Sequence, residues 1–252
     1  MKITEIYPDI GIVESKLSDR TWRLNNLYWI INREGNKIPF RMNWAQRDLY
    51  DNMWYCNVIL KARQLGFSSM IGLLFLDACL FNDNVCAGII AHRTDDSEKL
   101  FNRVRFAYDN LHPAIRMIRK LNVETKGELK FNNGSFFYID TSMRSSTLQY
   151  LHISEFGKIC AKYPDKAEEI VTGSLNTVAA GQYIFIESTA EGREGYFYDI
   201  CKTAQKKRKE EERPNPQLTG GGGSADDAEL RKFENMNMEQ LEKIGREKGW
   251  VR

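Results

Sequence analysis

The chain has 252 residues, 42% of them hydrophobic and 28% charged, with 36 Lys and Arg against 34 Asp and Glu. That balance excludes a disordered chain, a collagen-like fibre and a disulfide-stapled miniprotein, and it describes a soluble globular protein with one well-filled core and room for a small appendage. A net charge of +2 is too small to argue for nucleic acid on bulk electrostatics, so binding has to be read from sites.

No apolar run approaches the roughly 18–20 residues needed to span a bilayer. Met1-Lys2-Ile3-Thr4-Glu5 has no apolar stretch behind its basic residue, which argues against a signal peptide. The five cysteines (Cys56, Cys79, Cys86, Cys160, Cys201) form no C-x-x-C pair, and His92, His112 and His152 are scattered. Zinc ligation wants clustered ligands, so reduced, buried thiols are expected instead.

Along the chain, apolar strands alternate with helices. Asn57 to Leu60 reads as a strand, and Ser68 to Phe81 as a nearly all-apolar helix buried on most sides. Cys86 to Ala91 is a strand, followed by an amphipathic helix from Thr94 to Leu111 with Thr94 as its cap and Asp95 and Asp96 in its first turn. Leu129 to Asp140, broken at Asn132-Asn133-Gly134, reads as a hairpin. Leu151 to Ser154 and Tyr183 to Glu187 are further strands. This order predicts an α/β domain with a largely parallel sheet, whose ligands bind beyond the carboxyl ends of the strands.

The first strand exit is Leu60-Lys61-Ala62-Arg63-Gln64-Leu65-Gly66-Phe67-Ser68-Ser69. A strand, a short loop with Gly, and Ser at a helix start is the layout of a phosphate-binding loop, in which backbone N–H groups hold phosphates and the hydroxyl coordinates Mg²⁺. Against G-x-x-x-x-G-K-[ST], Gly66 and Ser68 match, Lys61 stands at the first Gly and Phe67 at the Lys. Lys61 or Arg63 is near enough to supply the missing cation. A plain β–α turn would also carry Gly and Ser.

The second exit, Tyr150-Leu151-His152-Ile153-Ser154-Glu155, is an apolar strand ending in an acid. In P-loop ATPases a carboxylate there orients the attacking water, and Ser154 takes the position of the usual metal-holding Asp. The third, Ile186-Glu187-Ser188-Thr189-Ala190-Glu191-Gly192, places hydroxyls where loss of the γ-phosphate can be felt.

Over roughly residues 35–205 these motifs resemble the N-terminal ATPase domain of the large terminase subunit, the DNA-packaging motor of tailed bacteriophages. Many terminases carry a deviant Walker A with R-Q-x-G in the loop, some with the lysine at its start as Lys61 is here. The strand-end Ser-Glu resembles their Walker B, and Ser188-Thr189-Ala190-Glu191-Gly192 resembles their coupling motif. The resemblance implies an ASCE-type P-loop fold, a mostly parallel sheet flanked by helices.

The implied site binds ATP and Mg²⁺. Gln64, Leu65, Gly66, Phe67, Ser68 and Ser69 wrap the phosphates, with Lys61 and Arg63 as cations. Ser68 holds the metal, and Glu155 positions the water or holds the metal through it. Ser188 and Thr189 couple hydrolysis to movement. Gln46, in Phe40-Arg41-Met42-Asn43-Trp44-Ala45-Gln46, stands where terminases read adenine, since an amide can both donate and accept; a surface helix start is the plainer reading. Arg144 stands where related motors reach a neighbour's γ-phosphate, a contact worth roughly 10³–10⁵ in rate. A loop arginine with no special task is the alternative.

The implied partners are double-stranded DNA, the small terminase subunit, the portal protein and further copies in a ring on the procapsid, in the cytoplasm of an infected bacterium and away from membranes. Another P-loop translocase of helicase type, or a nucleotide-binding scaffold without turnover, are the rival readings.

Lys206-Lys207-Arg208-Lys209 followed by Glu210, Glu211 and Glu212 continues a solvated helix that Pro214 and Pro216 end, although the basic run could also touch DNA phosphates. Gly220-Gly221-Gly222-Gly223-Ser224 has the regularity of an engineered flexible tether. Beyond it, residues 225–252 are amphipathic, with Leu230, Phe233, Met236 or Asn237, Met238, Leu241 and Ile244 at helical spacing. The tail has 6 basic and 7 acidic residues, which leaves +3 on residues 1–224, one more than the whole chain.

The expected organisation is therefore an ATPase domain over 1–213, with a helical lead-in at 1–34, a linker at 214–224, and a docking segment at 225–252 from a partner such as the small terminase subunit. A natural C-terminal helix of the main domain is the alternative. No paired-carboxylate nuclease constellation follows residue 205, so the nuclease domain of large terminases is expected to be missing.

Overall fold

Parallel strands buried on both faces need long apolar runs and two layers of helices, and the sequence supplies both. The structure, a computed structural model, describes residues 15–141 and 147–210. Helix α1 (Arg20–Asn26) starts on Asp19, whose side chain accepts from the Thr21 N–H. Strands β1 (Trp29–Ile31) and β2 (Lys37–Pro39) pair antiparallel into a small sheet of their own. The described part of the lead-in is thus helix followed by strand.

Helix α2 (Trp44–Asn52) leads to β3 (Cys56–Leu60), then α3 (Phe67–Phe81), β4 (Cys86–Ile90) and α4 (Thr94–Asp109). Helix α5 (Pro113–Ile118) precedes β5 (Leu121–Glu124), β6 (Glu128–Phe131) and β7 (Phe136–Asp140). Strand β8 (Leu148–Ser154), helices α6 (Phe156–Lys162) and α7 (Pro164–Thr172), a 3₁₀ turn (Ser174–Thr177), β9 (Val178–Ser188) and α8 (Tyr196–Glu210) complete the order.

The main sheet runs β3-β9-β8-β4-β7-β6-β5. Its first five strands are mutually parallel, and β6 and β5 add an antiparallel edge. The predicted hairpin is β6–β7, which pair antiparallel, with Gly134 at φ +77 in its turn as the Asn-Gly signal requires. Several boundaries differ from expectation, among them that of β8, which begins three residues before Leu151. The helix after β4 is capped by Arg93 rather than Thr94, which is its first helical residue, and β9 begins five residues before Tyr183.

Helix α3 is buried almost throughout, because it lies on the sheet beneath α1 and α4. That face holds Leu73, Phe75, Leu76, Phe101, Phe137 and Phe185 in one core. The opposite face has a second core, in which Phe156, Ile159, Ile170 and Phe197 of α6, α7 and α8 cover Ile90, Leu151, Ile153 and Ile186. Burying all these apolar side chains supplies the main drive for folding, at about 25 cal/mol per Å². The five cysteines are free thiols, and burial pushes Cys86 up to about 12. Among the described residues no helix is long and apolar enough to cross a membrane.

Candidate functional site

The loop from Lys61 to Gly66 is held from behind. The Lys61 N–H donates to the Ser188 carbonyl at 3.0 Å, which ties the loop's first residue to the end of β9. Arg33 Nη2 donates to the Gln64 carbonyl at 3.3 Å, and Asn43 Nδ2 to the Leu65 carbonyl at 3.1 Å. Gln46 Nε2 donates to the Gly66 carbonyl at 2.9 Å. Two residues turn the chain through the left-handed region, Gln64 at φ +68 and Gly66 at φ +75. At Gly66 a Cβ would also stand 2.6 Å from Gln46 Nε2, and that amide is not free to swing aside.

With those carbonyls engaged, the N–H groups of Gly66, Phe67, Ser68 and Ser69 have no acceptor among the described residues. They form the N-terminus of a 15-residue helix, where orphan donors and the helix dipole both favour an anion.

Facing this terminus is a cluster centred on Glu187, the next-to-last residue of β9 and 0% exposed. Ser68 Oγ donates to its Oε1 at 2.7 Å, and Ser154 Oγ donates to the same oxygen at 2.9 Å. Lys61 Nζ lies 2.5 Å from Oε2, and His152 Nε2 lies 3.4 Å from Oε1. Burial pushes the Glu187 carboxyl up, but its bonds and charge attraction to His152 and Lys61 prevail and hold it down at about 2.

Glu155 leaves β8 in the left-handed region, φ +56, and caps α6. Its Oε1 is 3.3 Å from Lys61 Nζ and its Oε2 is 2.8 Å from Lys158 Nζ. One ammonium, that of Lys61, therefore bridges the two carboxylates at adjacent strand ends.

The remaining predicted residues divide clearly. Phe67, which stands where the phosphate-loop pattern has lysine, is 7% exposed and belongs to the core, so that position offers no cation. Arg63 and Gln64 are exposed on the loop, and Leu65 is half-buried. Ser69 Oγ accepts from Arg103 Nη1 at 3.4 Å. Ser188 is fully buried with its hydroxyl unpartnered among the described residues, while Thr189 Oγ1 donates to Glu191 Oε1 at 3.3 Å.

Gln46 is buried at the third position of α2, where its backbone N–H and side chain form a reciprocal cap with Asn43. Arg144, the tether and the 225–252 segment lie outside the described residues, as do the side chains of Lys207, Arg208 and Lys209.

Three features of the site have no signature in the sequence. One is Glu187 itself, hidden because a strand-end acid is unremarkable until its neighbours are known. A second is Arg103, whose helical position gives no local sign that it reaches Ser69. The third is a cavity of about 400 Å³ in front of Ser68, Ser154 and Glu155, lined mainly by Arg93, Lys99, Arg103, Lys158 and Lys162, with Asp96 beside Arg93. Its basic lining suits a polyanion.

Among the described residues no three His, Cys, Asp or Glu side chains gather to hold a metal by themselves. A hydroxyl and one or two carboxylates are nonetheless what Mg²⁺ takes from a protein when phosphates and water complete its shell. Ser68 beside Glu187 and Glu155 fits that donor set.

No family profile and no characterised protein matches the sequence with significance. In three dimensions the chain is similar to the large terminase of bacteriophage HK97, with a TM-score of 0.59 and 16% identity over 92% of this chain and 52% of that one. A weaker likeness, TM-score 0.46 and 16% identity over 65% of this chain and 69% of the other, joins it to the large terminase ATPase domain of Thermus phage P74-26. The chain spans about half the length of the HK97 protein. Its α/β architecture, a seven-stranded mostly parallel sheet between helical layers, is the fold found in the HK97 large terminase.

Proposed function

We propose that the chain is a Mg²⁺-dependent ATPase domain of the large-terminase type, hydrolysing ATP to drive double-stranded DNA into a viral procapsid. One observation carries this reading. The free N–H groups of Gly66 to Ser69, the Lys61 ammonium and the Glu155 carboxylate meet at the carboxyl end of one parallel sheet, before a basic cavity.

The N–H groups bind the phosphates, and Lys61 neutralises charge in place of the lysine that Phe67 replaces, with Arg63 at the rim as a second cation. Ser68, and Glu155 through water, would hold Mg²⁺, which when bound would supply positive charge against the phosphates. Glu155 orients the attacking water and accepts its proton, once released from Lys61 and Lys158. The Lys61 N–H bond to the Ser188 carbonyl gives the coupling route, since a shift of the loop on phosphate loss pulls on β9 and on Ser188 and Thr189. Gln46 reads adenine beside the loop it braces. Arg144 acts on a neighbouring subunit's nucleotide in a ring seated on the portal, and the 225–252 segment, joined by an engineered tether, docks as a piece of the small subunit.

A nucleotide-binding scaffold without turnover is the second reading. It is favoured by Glu155 itself, which two lysines hold in ion pairs. Turnover of the assembled wild type beside Glu155→Gln separates the two. The ATPase reading expects a loss of about 10²–10⁴-fold. Equal activity in both would remove Glu155 from the chemistry, and absence of activity in both favours the scaffold.

A further inference from the structure

We infer that Glu187, on β9, supplies the acidic Mg²⁺ ligand that Ser154 cannot supply from β8. The inference rests on the ATPase reading and deepens it.

The position at the end of β8 that ordinarily carries a metal-holding Asp is Ser154, whose hydroxyl is a poor substitute for a carboxylate toward a hard dication. Ser154 and Glu187 are register partners across the parallel β8–β9 pair, so their side chains leave the same face side by side. Glu187 Oε1 then accepts from both Ser154 Oγ and Ser68 Oγ, at 2.9 and 2.7 Å. A carboxylate touching the hydroxyl at the start of the phosphate-loop helix is the relation an acidic metal ligand must have to that hydroxyl. The carboxylate has moved one strand over, and Ser154 has become its hydrogen-bond donor.

Glu187 is fully buried, with its Oε1 satisfied by the two hydroxyls. A fully buried carboxylate is costly unless closely paired, and its Oε2 has only the Lys61 ammonium beside it among the described residues. Glu155 is a weaker candidate for direct ligation, because it lies a residue beyond the strand and its two oxygens engage Lys61 and Lys158.

The test is the affinity for fluorescently labelled ADP with Mg²⁺ and with excess EDTA, in the full chain. Wild type should bind more tightly with Mg²⁺. Glu187→Gln should lose that metal-dependent gain by about 10- to 100-fold while metal-free affinity is undiminished. Glu187→Gln combined with Ser154→Asp, which returns the carboxylate to β8, should restore the gain. Retention of the full gain in Glu187→Gln overturns the inference, and so does equal weakening with and without metal, which would make Glu187 a residue that positions Lys61. Failure of both variants to fold by circular dichroism would make it a scaffold residue and overturns it as well. Wild type that binds no nucleotide under either condition overturns the ATPase reading itself.

Discussion

Two carboxylates are fully buried among the described residues, Asp77 and Glu187, and the protein treats them in opposite ways. Asp77 sits toward the C-terminal end of the apolar helix α3 and is closed in by donors. Arg23 grips it through Nε and Nη2 at 2.9 and 2.7 Å, and the Tyr28 hydroxyl donates at 2.8 Å. Arg23 is itself anchored, with Nη1 donating to the Leu17 carbonyl and its guanidinium 4.1 Å from the centre of the Phe81 ring. Glu187 lies at the other end of the same helix, against Ser68. Its donors are the hydroxyls of Ser68 and Ser154, which line the cavity, and the Lys61 ammonium, and the neighbouring Ser188 hydroxyl has no partner among the described residues. A closed charge network fastens α1 to α3, whereas an open one leaves lone pairs and a cation that can be redirected to a ligand.

The contrast is broken most directly at Asp77. Asp77→Ala strands the Arg23 guanidinium in the core and should cost about 3–5 kcal/mol of stability. Chemical denaturation reads this as a lowered midpoint, and a loss below ~1 kcal/mol would show that the network closes nothing. The Glu155→Gln loss of turnover is of similar size in free energy, and it should leave the denaturation midpoint nearly where it was.

A smaller effect belongs to Gly66→Ala. The added Cβ meets the Gln46 amide and the left-handed backbone disfavours it, so roughly 1–2 kcal/mol of stability goes, together with nucleotide affinity. Unchanged affinity, measured by titration, would mean that the loop does not receive phosphates. Gln46→Ala should be mildest, at about 1 kcal/mol for the lost cap. The same variant compares ATP with GTP: loss of preference supports adenine reading, and an unaltered preference leaves Gln46 as a brace for the Gly66 carbonyl.

Much of this site is legible in the residues themselves. Lys61, Gly66 and Ser68 stand out because a strand, a Gly and a hydroxyl at a helix start succeed one another within ten residues, and the left-handed φ at Gly66 is the local demand that Gly answers. Glu155 and Ser188 are conspicuous because each stands at the end of an apolar run, where a parallel sheet presents its ligands. Phe67 visibly breaks the lysine position of the phosphate-loop pattern, but its burial depends on the core around it. Gln46 draws notice for its amide, while its bond to Gly66 depends on how α2 lies across the loop.

The chain's alternation of short apolar strands and helices was enough by itself to specify an α/β class, a Gly- and Ser-bearing loop between strand and helix, and acids or hydroxyls at three strand exits, because each of those signals is local. Strand order is not local. Among the described residues β9 is the last of nine strands, yet it inserts between β3 and β8, and only that placement sets Glu187 within reach of Ser68, Ser154 and Lys61 at once. Three partners drawn from residues 61, 68 and 154 cannot be inferred from spacing in sequence, since parallel crossovers let any strand neighbour any other. Tertiary packing alone decided that an ordinary strand-end glutamate would become the centre of the cluster.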